Sequence, residues 1–146
     1  MNFQNLVNEG IIEPVPINKA NIQLMLKMVR EDIKTAKILI GEERWDWAHN
    51  IAYNAIRESC LALVYAYGYR PKGEAKHKNT FVFVETALES KFHSDIKRAD
   101  KMRQQRNVAV YQQAGTVSED RAKRNVDFAE KFTKELETIV EALLAL

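Results

Sequence analysis

Residues 100–111 read DKMRQQRNVAVY, and neither Gly nor Pro interrupts the chain from residue 94 to residue 114. The stretch therefore predicts the inner part of a helix. On a helical wheel of about 100° per residue, three of its polar residues fall on or beside the apolar arc. These three are Arg103, Arg106 and Asn107. Because an inward guanidinium is costly unless it is paired or lines a cleft, two interpretations stay open: pairing with acids of neighbouring helices, or a binding site.

The spacing within this stretch suits the binding of phosphate. Arg103, Asn107 and Tyr111 follow one another at intervals of four residues, so they stack along one face of a helix. Arg106 lies one step around the same helix. Arginine and amide donors grouped in this way suit a phosphate group or the transition state of phosphoryl transfer.

Two basic segments add to this signal. Residues 70–78 carry four basic side chains and one acid, and residues 97–106 carry five basic side chains and one acid, although the net charge of the chain is only +2. A local excess of positive charge attracts phosphate even on a nearly neutral protein, although a solvated loop and a solvated helix face are the simpler alternative. The expected phosphate- or RNA-binding residues belong to these segments: Lys76, His77, Lys78, Arg103 and Arg106.

Helical periodicity also extends over most of the remaining chain. The predicted helices span residues 19–40, residues 42 or 45 to 67, a third helix that opens at Asn79 or Thr80, residues 94–112, and a last helix after Ser118. Asn18 and Ser118 are the predicted N-caps, and Gly41 and Gly68 are the predicted stops.

The scarcity of turn residues decides the predicted architecture. The chain has 5 Gly and 3 Pro, and no segment alternates apolar and polar residues over the length of a strand. We therefore expect an all-α fold, an antiparallel up-and-down bundle of four to five helices. Residues 1–18 are expected to form a tail, and residues 19–146 a single helical domain.

Several classes of site and location are disfavoured. Cys60 is the only cysteine, so no disulfide can form within the chain, which fits a reducing compartment. No Cys or His spacing predicts a metal site, and there is no Gly-rich phosphate loop and no His-Glu-x-x-His motif. The longest apolar run, residues 60–67, is far shorter than a membrane span, and residues 1–5 lack the start of a signal peptide. We expect a cytoplasmic protein without a metal, a cofactor or a membrane contact.

Residues 106–111, RNVAVY, resemble the signature of HEPN domains, in which an Arg is followed by a polar residue and, after a gap of four to six residues, by a His. The order of the predicted helices, with a second Ala-rich helix ending at Gly68 and a loop holding Pro71 and His77, is similar to the family's over roughly residues 19–146. The resemblance implies a bundle of four to five helices that forms a homodimer, with two copies of the motif facing each other.

The resemblance also carries an expected activity. In many HEPN domains the shared cleft is a metal-independent endoribonuclease, often the toxin of a toxin–antitoxin or defence system whose partner is a minimal nucleotidyltransferase. This chain has Tyr111 where many active members have His. Histidine exchanges protons near neutral pH, whereas only about one tyrosine in a thousand is ionised there.

Three interpretations of function follow from these residues. In the first, the chain is a ribonuclease or toxin in which Arg106 holds the scissile phosphate, Asn107 orients it and Tyr111 assists. In the second, it is a non-catalytic HEPN module that binds RNA or a nucleotide and partners a nucleotidyltransferase. In the third, it is a structural or interaction bundle whose arginines pair with buried acids.

Overall fold

A computed structural model of the protein describes residues 3–111 and 116–146, with the side chains of residues 3–105 and 116–146. The helices in these residues are α1 (Gln4–Asn8), α2 (Lys19–Gly41), α3 (Trp45–Ala66), α4 (Lys76–Ala87), α5 (His93–Tyr111) and α6 (Glu119–Leu144). The strands are β1 (Ile12–Pro14) and β2 (Tyr69–Pro71), and a 3-10 turn spans Ser90–Phe92. The predicted all-α helical bundle is confirmed.

Helix α3 lies at the centre of the bundle, because α2, α4, α5 and α6 all pack against it. Its interfaces with α2 and α6 are the largest. The inward face of α3 is rich in small residues, which let neighbouring helices approach closely. The fully buried small residues of α3 are Ala48, Ala52, Ala55, Ser59, Cys60 and Ala62.

The helix ends follow the predicted capping with one exception. The side chain of Asn18 accepts a hydrogen bond from the backbone N–H of Asn21 at 3.0 Å, and Ser118 caps α6 in the same way. Gly68 has a φ of +87° just after α3, as expected of a helix stop. Gly41 ends α2 as predicted, but as its last helical residue and not just beyond the helix, and Glu43 takes the left-handed conformation instead, with a φ of +60°.

The N-terminal segment packs on the bundle. β1 pairs with β2 in antiparallel register, with Glu13 opposite Arg70. Phe3 and Ile12 are buried in the same hydrophobic core as α2 and α3. Neither strand was predicted, because three residues are too few to show the alternation that marks a strand. The predicted boundary after residue 18 therefore marks the start of α2, while the core extends into the residues before it.

One face of α2 carries apolar side chains that the bundle leaves uncovered. Leu24, Met28 and Ile38 are 54%, 49% and 62% exposed. At about 100° per residue these three positions fall within one arc of roughly 80°. The opposite face of α2 holds Ile22, Leu26 and other buried residues, so α2 is apolar on both sides.

Candidate functional site

The motif residues belong to α5, which begins one residue before its predicted start. Ile96, Ala99 and Met102 are buried, so this arc of α5 faces the core. The backbone of α5 continues through residue 111 and therefore carries Arg106, Asn107 and Tyr111 as helical positions. The side chains of these three predicted catalytic residues lie outside the described part of the structure, and their roles stay predictions.

Arg103 is the motif-helix arginine whose side chain is described. It is 23% exposed, and its Nε donates to Asp100 Oδ1 at 2.8 Å. Its ion pair is thus formed with an acid of the same helix rather than with an acid of a neighbouring helix. Because a guanidinium has five donors and this bond uses one, Arg103 keeps donors for a phosphate.

The basic residues Lys76, His77 and Lys78 form the first turn of α4, which begins at Lys76. The prediction that this helix opens at Asn79 or Thr80 is wrong, because both residues lie inside the helix. Their side chains donate to backbone carbonyls, whereas an N-cap side chain accepts from a backbone N–H. Asn79 Nδ2 donates to the carbonyl of Lys72 at 2.7 Å, and Thr80 Oγ1 donates to the carbonyl of Lys76 at 2.8 Å. These three basic side chains are exposed on a helix rather than on a loop.

A cleft of about 480 Å³ opens between α3, β2 and the first turn of α4. Lys76 and His77 line it, together with Tyr65 and Arg57 of α3. His77 Nδ1 lies 3.3 Å from the hydroxyl of the buried Tyr53, which ties the first turn of α4 to α3. The cleft therefore combines basic and aromatic side chains on a helical framework.

The cleft has an excess of positive charge. Its described charged residues, apart from His77, are Arg57, Arg70, Lys72, Lys76 and Glu13. Glu13 accepts from Arg70 and lies 4.0 Å from the Nζ of Lys72, and Arg57 is paired with Glu58 at 2.6 Å. Lys76 has no ion pair within the described side chains. An anionic group at the Lys76 end would thus meet charge that the protein leaves unneutralised.

The predicted phosphate-binding residues are therefore only partly brought together. Lys76 and His77 share the cleft, whereas Lys78 and Arg103 do not line it. Arg103 lies on α5, which packs against both α3 and α4.

A buried polar network between α3, α5 and α6 was not predicted. Asn125 lies 3.1 Å from His49 Nδ1 through its Nδ2, and its Oδ1 accepts from Arg98 at 3.3 Å. Because arginine only donates, the oxygen of the Asn125 amide must face Arg98 and the nitrogen must face His49. His49 Nδ1 is therefore placed to accept a hydrogen bond from the Asn125 amide. These residues are far apart in sequence, so no local pattern could indicate the network.

Cys60 is excluded as a nucleophile. Its side chain is fully buried, and burial raises the pKa of the thiol far above its ordinary value because the thiolate would lose its solvation. In residues 3–105 and 116–146, no group of three or more His, Cys, Asp and Glu side chains is arranged to hold a metal ion. Among the same residues, no helix combines the length and the apolar character needed to cross a membrane.

Comparison with known proteins bears on the whole bundle. The model of the HEPN domain family matches residues 22–139, which run from the first turn of α2 into the last part of α6 and include the motif. No curated protein matches the chain. Since the family match spans most of the 146 residues, this chain belongs to the HEPN domain family.

Proposed function

We propose that this HEPN protein binds RNA and cleaves it without a metal ion. Arg106 holds the scissile phosphate, Asn107 orients it, and Tyr111 assists the transfer of a proton. The observation that carries the proposal is the placement of these positions on α5, whose inward arc is buried at Ile96 and Ala99. Membership of a family associated with ribonuclease and nucleotide-binding functions supports the choice of RNA.

The chemistry assigned to the motif is neutralisation and proton transfer. Cleavage of an RNA strand by its own 2′-hydroxyl develops negative charge on the phosphate oxygens, which arginine donors stabilise. The same reaction needs a base for the 2′-hydroxyl and an acid for the leaving 5′-oxygen. A tyrosine with an ordinary pKa near 10 donates a proton or a hydrogen bond at pH 7 more readily than it accepts a proton.

We assign the binding of the RNA flanking the scissile bond to the basic side chains outside the motif. Lys76 and His77 line a cleft with unneutralised positive charge, and Lys78 lies on the same exposed turn. Arg103 keeps guanidinium donors beyond its bond to Asp100. Contacts of this kind position a nucleic acid and carry no sequence information.

A second candidate function is a non-catalytic module that binds RNA or a nucleotide. Tyr111 at the position of the expected histidine favours the non-catalytic module, because a phenol is a poor proton acceptor at neutral pH. Under this proposal the basic cleft still binds phosphate, and a nucleotidyltransferase is the partner.

The biological setting that we propose follows from the family. The protein acts in the cytoplasm as a homodimer and as the toxin of a toxin–antitoxin or defence pair, with a nucleotidyltransferase as its antitoxin. Growth arrest on expression of the wild-type chain, relieved by co-expression of such a partner and absent with Arg106→Ala, is the expected result. Unimpaired growth at a verified level of folded protein contradicts the toxin role.

The proposed activity is tested by incubating the purified protein with total RNA, with and without EDTA. We expect cleavage in both conditions and a loss of about 10²-fold or more in Arg106→Ala, because one charge-stabilising donor typically contributes that much. Arg30→Ala on α2 is the matched control, since Arg30 is exposed and forms a surface ion pair with Glu137.

Stability and binding of the same variant separate function from structure. If Arg106 pairs with a buried acid, its removal lowers the melting temperature sharply and leaves RNA binding per folded molecule unchanged. That result supports the structural interpretation and contradicts the proposal. RNA bound tightly by the wild type but never cleaved selects the non-catalytic module.

A further inference from the structure

A second basic surface lies between α5 and α6, away from the cleft at α4. It is a groove of about 320 Å³ that runs beside Gln105, the residue before Arg106. Four of its seven described lining residues are cations and none is an acid. The four cations are Arg98, Lys101, Arg121 and Arg124.

The positive charge of this groove is largely uncompensated. Lys101 and Arg121 form no ion pair with any described side chain, and Arg124 pairs only with the exposed Asp120 at 3.3 Å. Cations without an ion pair among the described side chains also occur elsewhere, such as Lys19 and Lys27, but the groove brings two of them together beside Arg98 and Arg124. A row of unmatched cations raises the local potential and attracts a polyanion.

Arg98 is held in place with donors to spare. Its guanidinium lies 4.4 Å above the ring of Phe128, and its Nη2 donates to the carbonyl of Arg124 at 3.2 Å and to Asn125 Oδ1 at 3.3 Å. Its Nε and Nη1 make no hydrogen bond with the described residues. A guanidinium that is already oriented loses little further entropy when it binds a phosphate.

The charge along the α5–α6 interface gives the groove a direction. On the far side of Arg98, the charges of the adjoining cavity balance, because three acids and three cations line it: Asp95, Asp127, Glu135, Arg98, Arg124 and Lys131. The groove, in contrast, has four cations and no acid among its described lining residues. A polyanion is therefore favoured more along the groove from Arg98 toward Gln105, a distance of about 10 Å along α5, than in the adjoining neutral cavity. The favoured end of the groove is the end that leads to the motif.

We propose that this groove binds the sugar–phosphate backbone of the RNA that enters the motif, an inference that rests on the proposed function. A phosphate backbone is favoured over a helical protein partner because such a partner needs apolar pockets for its anchor residues. The apolar lining residue among those described is Met102, which is only 1% exposed. Guanidinium and ammonium donors, in contrast, are what phosphate requires.

The test measures the salt dependence of RNA binding in Lys101→Ala/Arg121→Ala. The probe is a fluorescently labelled single-stranded oligouridine of about 20 nucleotides, titrated across about 30 to 300 mM KCl. Each lost contact to a single strand removes about 0.7 from the slope of log K against log salt, so the double variant should flatten it by about 1.4. Both residues are exposed, so the melting temperature should not change.

Two controls separate the groove from general charge. Lys19→Ala/Lys27→Ala removes the same charge from exposed positions of α2 and should leave the slope unchanged. Lys101→Arg/Arg121→Lys keeps both charges in the groove and should bind nearly as the wild type does.

Each of the remaining outcomes contradicts either the groove as a binding site, its assignment to RNA, or the proposed function. RNA binding by the wild type with equal slopes in both alanine variants overturns the groove and leaves the proposed function standing. An acidic peptide of equal charge that binds as tightly as the RNA and competes with it reassigns the groove to a protein partner. Absence of RNA binding by the wild type at about 30 mM KCl overturns the proposed function and the RNA assignment of the groove together.

Discussion

Asn125 shows how much a single buried amide determines at the residue scale. It lies on α6 and bonds to His49 on α3 and to Arg98 on α5, so one side chain connects three helices. The donor-only character of arginine decides which way the amide points, and the amide then presents an N–H donor to His49 Nδ1. The buried His49 is thus held in the core by a specific hydrogen bond.

Asn125→Ala is expected to lower the free energy of unfolding by about 1 to 3 kcal/mol, because it leaves a buried ring nitrogen without its donor. Urea denaturation measures this loss. Asn21→Ala on the exposed face of α2 is the matched control and should cost less than about 0.5 kcal/mol. An Nδ1 proton on His49 in the wild-type nitrogen NMR spectrum would contradict the assignment of the network.

Tyr111→His tests whether a missing base limits catalysis. If it does, the variant gains cleavage of roughly 10²–10⁴-fold, because imidazole accepts a proton near neutral pH and phenol does not. The rate should rise with pH through about 6.5, as His loses its proton, and should not respond to EDTA. The rate of RNA cleavage against pH is the measurement.

Tyr111→Phe is the matched control for this substitution, because it keeps the ring and removes only the hydroxyl. A wild type that cleaves faster than both variants gives Tyr111 a role of its own. If neither the wild type nor the His variant cleaves bound RNA, the non-catalytic module is the better account.

At the scale of elements, the periodicity of apolar residues predicted the long helices and missed the two short strands. The long helices α2, α3, α5 and α6 were predicted from apolar spacing, and the caps at Asn18 and Ser118 from residue type. The strands were missed because their pairing depends on residues 12–14 meeting residues 69–71, which no local window contains. For the same reason the sequence indicated basic residues near the motif but not the cleft or the groove that tertiary packing forms.

Ile12→Ala is expected to cost about 2 to 4 kcal/mol in the free energy of unfolding, because Ile12 is fully buried although it lies before the predicted domain. Chemical denaturation measures the loss. Ile17→Ala removes the same atoms from a side chain that is 51% exposed and should cost well under half as much. Equal losses in the two variants would contradict the packing of β1 into the core.

At the scale of the whole molecule, the distribution of charge matters more than its sum. A net charge of +2 would not by itself suggest a nucleic acid. Cations such as Arg30 and Lys37 are matched with acids of α6, whereas Lys76, Lys101 and Arg121 have no such partner among the described side chains. Lys76 lies in the cleft, and Lys101 and Arg121 lie in the groove, which are the places that the proposals assign to RNA.

We expect the protein to be a homodimer in which two motifs face each other across a two-fold axis. Light scattering at micromolar concentration should return twice the mass of 16.9 kDa. Ile38→Lys should leave the dimer intact, because it changes the exposed face of α2 and not the motif helix. Loss of the dimer in this variant would place the contact on α2, and a monomer at all concentrations would contradict the shared motif cleft.

The order of packing partners along the chain has a consequence for synthesis. α2 and α3 form an adjacent pair, but α6 covers both of them and leaves the ribosome long after α3. Because synthesis proceeds at roughly 5–20 residues per second, the apolar face of this helical hairpin stays uncovered for about 4 to 16 seconds before α6 has been synthesised. During that interval the apolar face of α2 and α3 is exposed and can associate with other nascent chains on the same polysome. A chaperone that binds apolar helices would bind the chain at this stage.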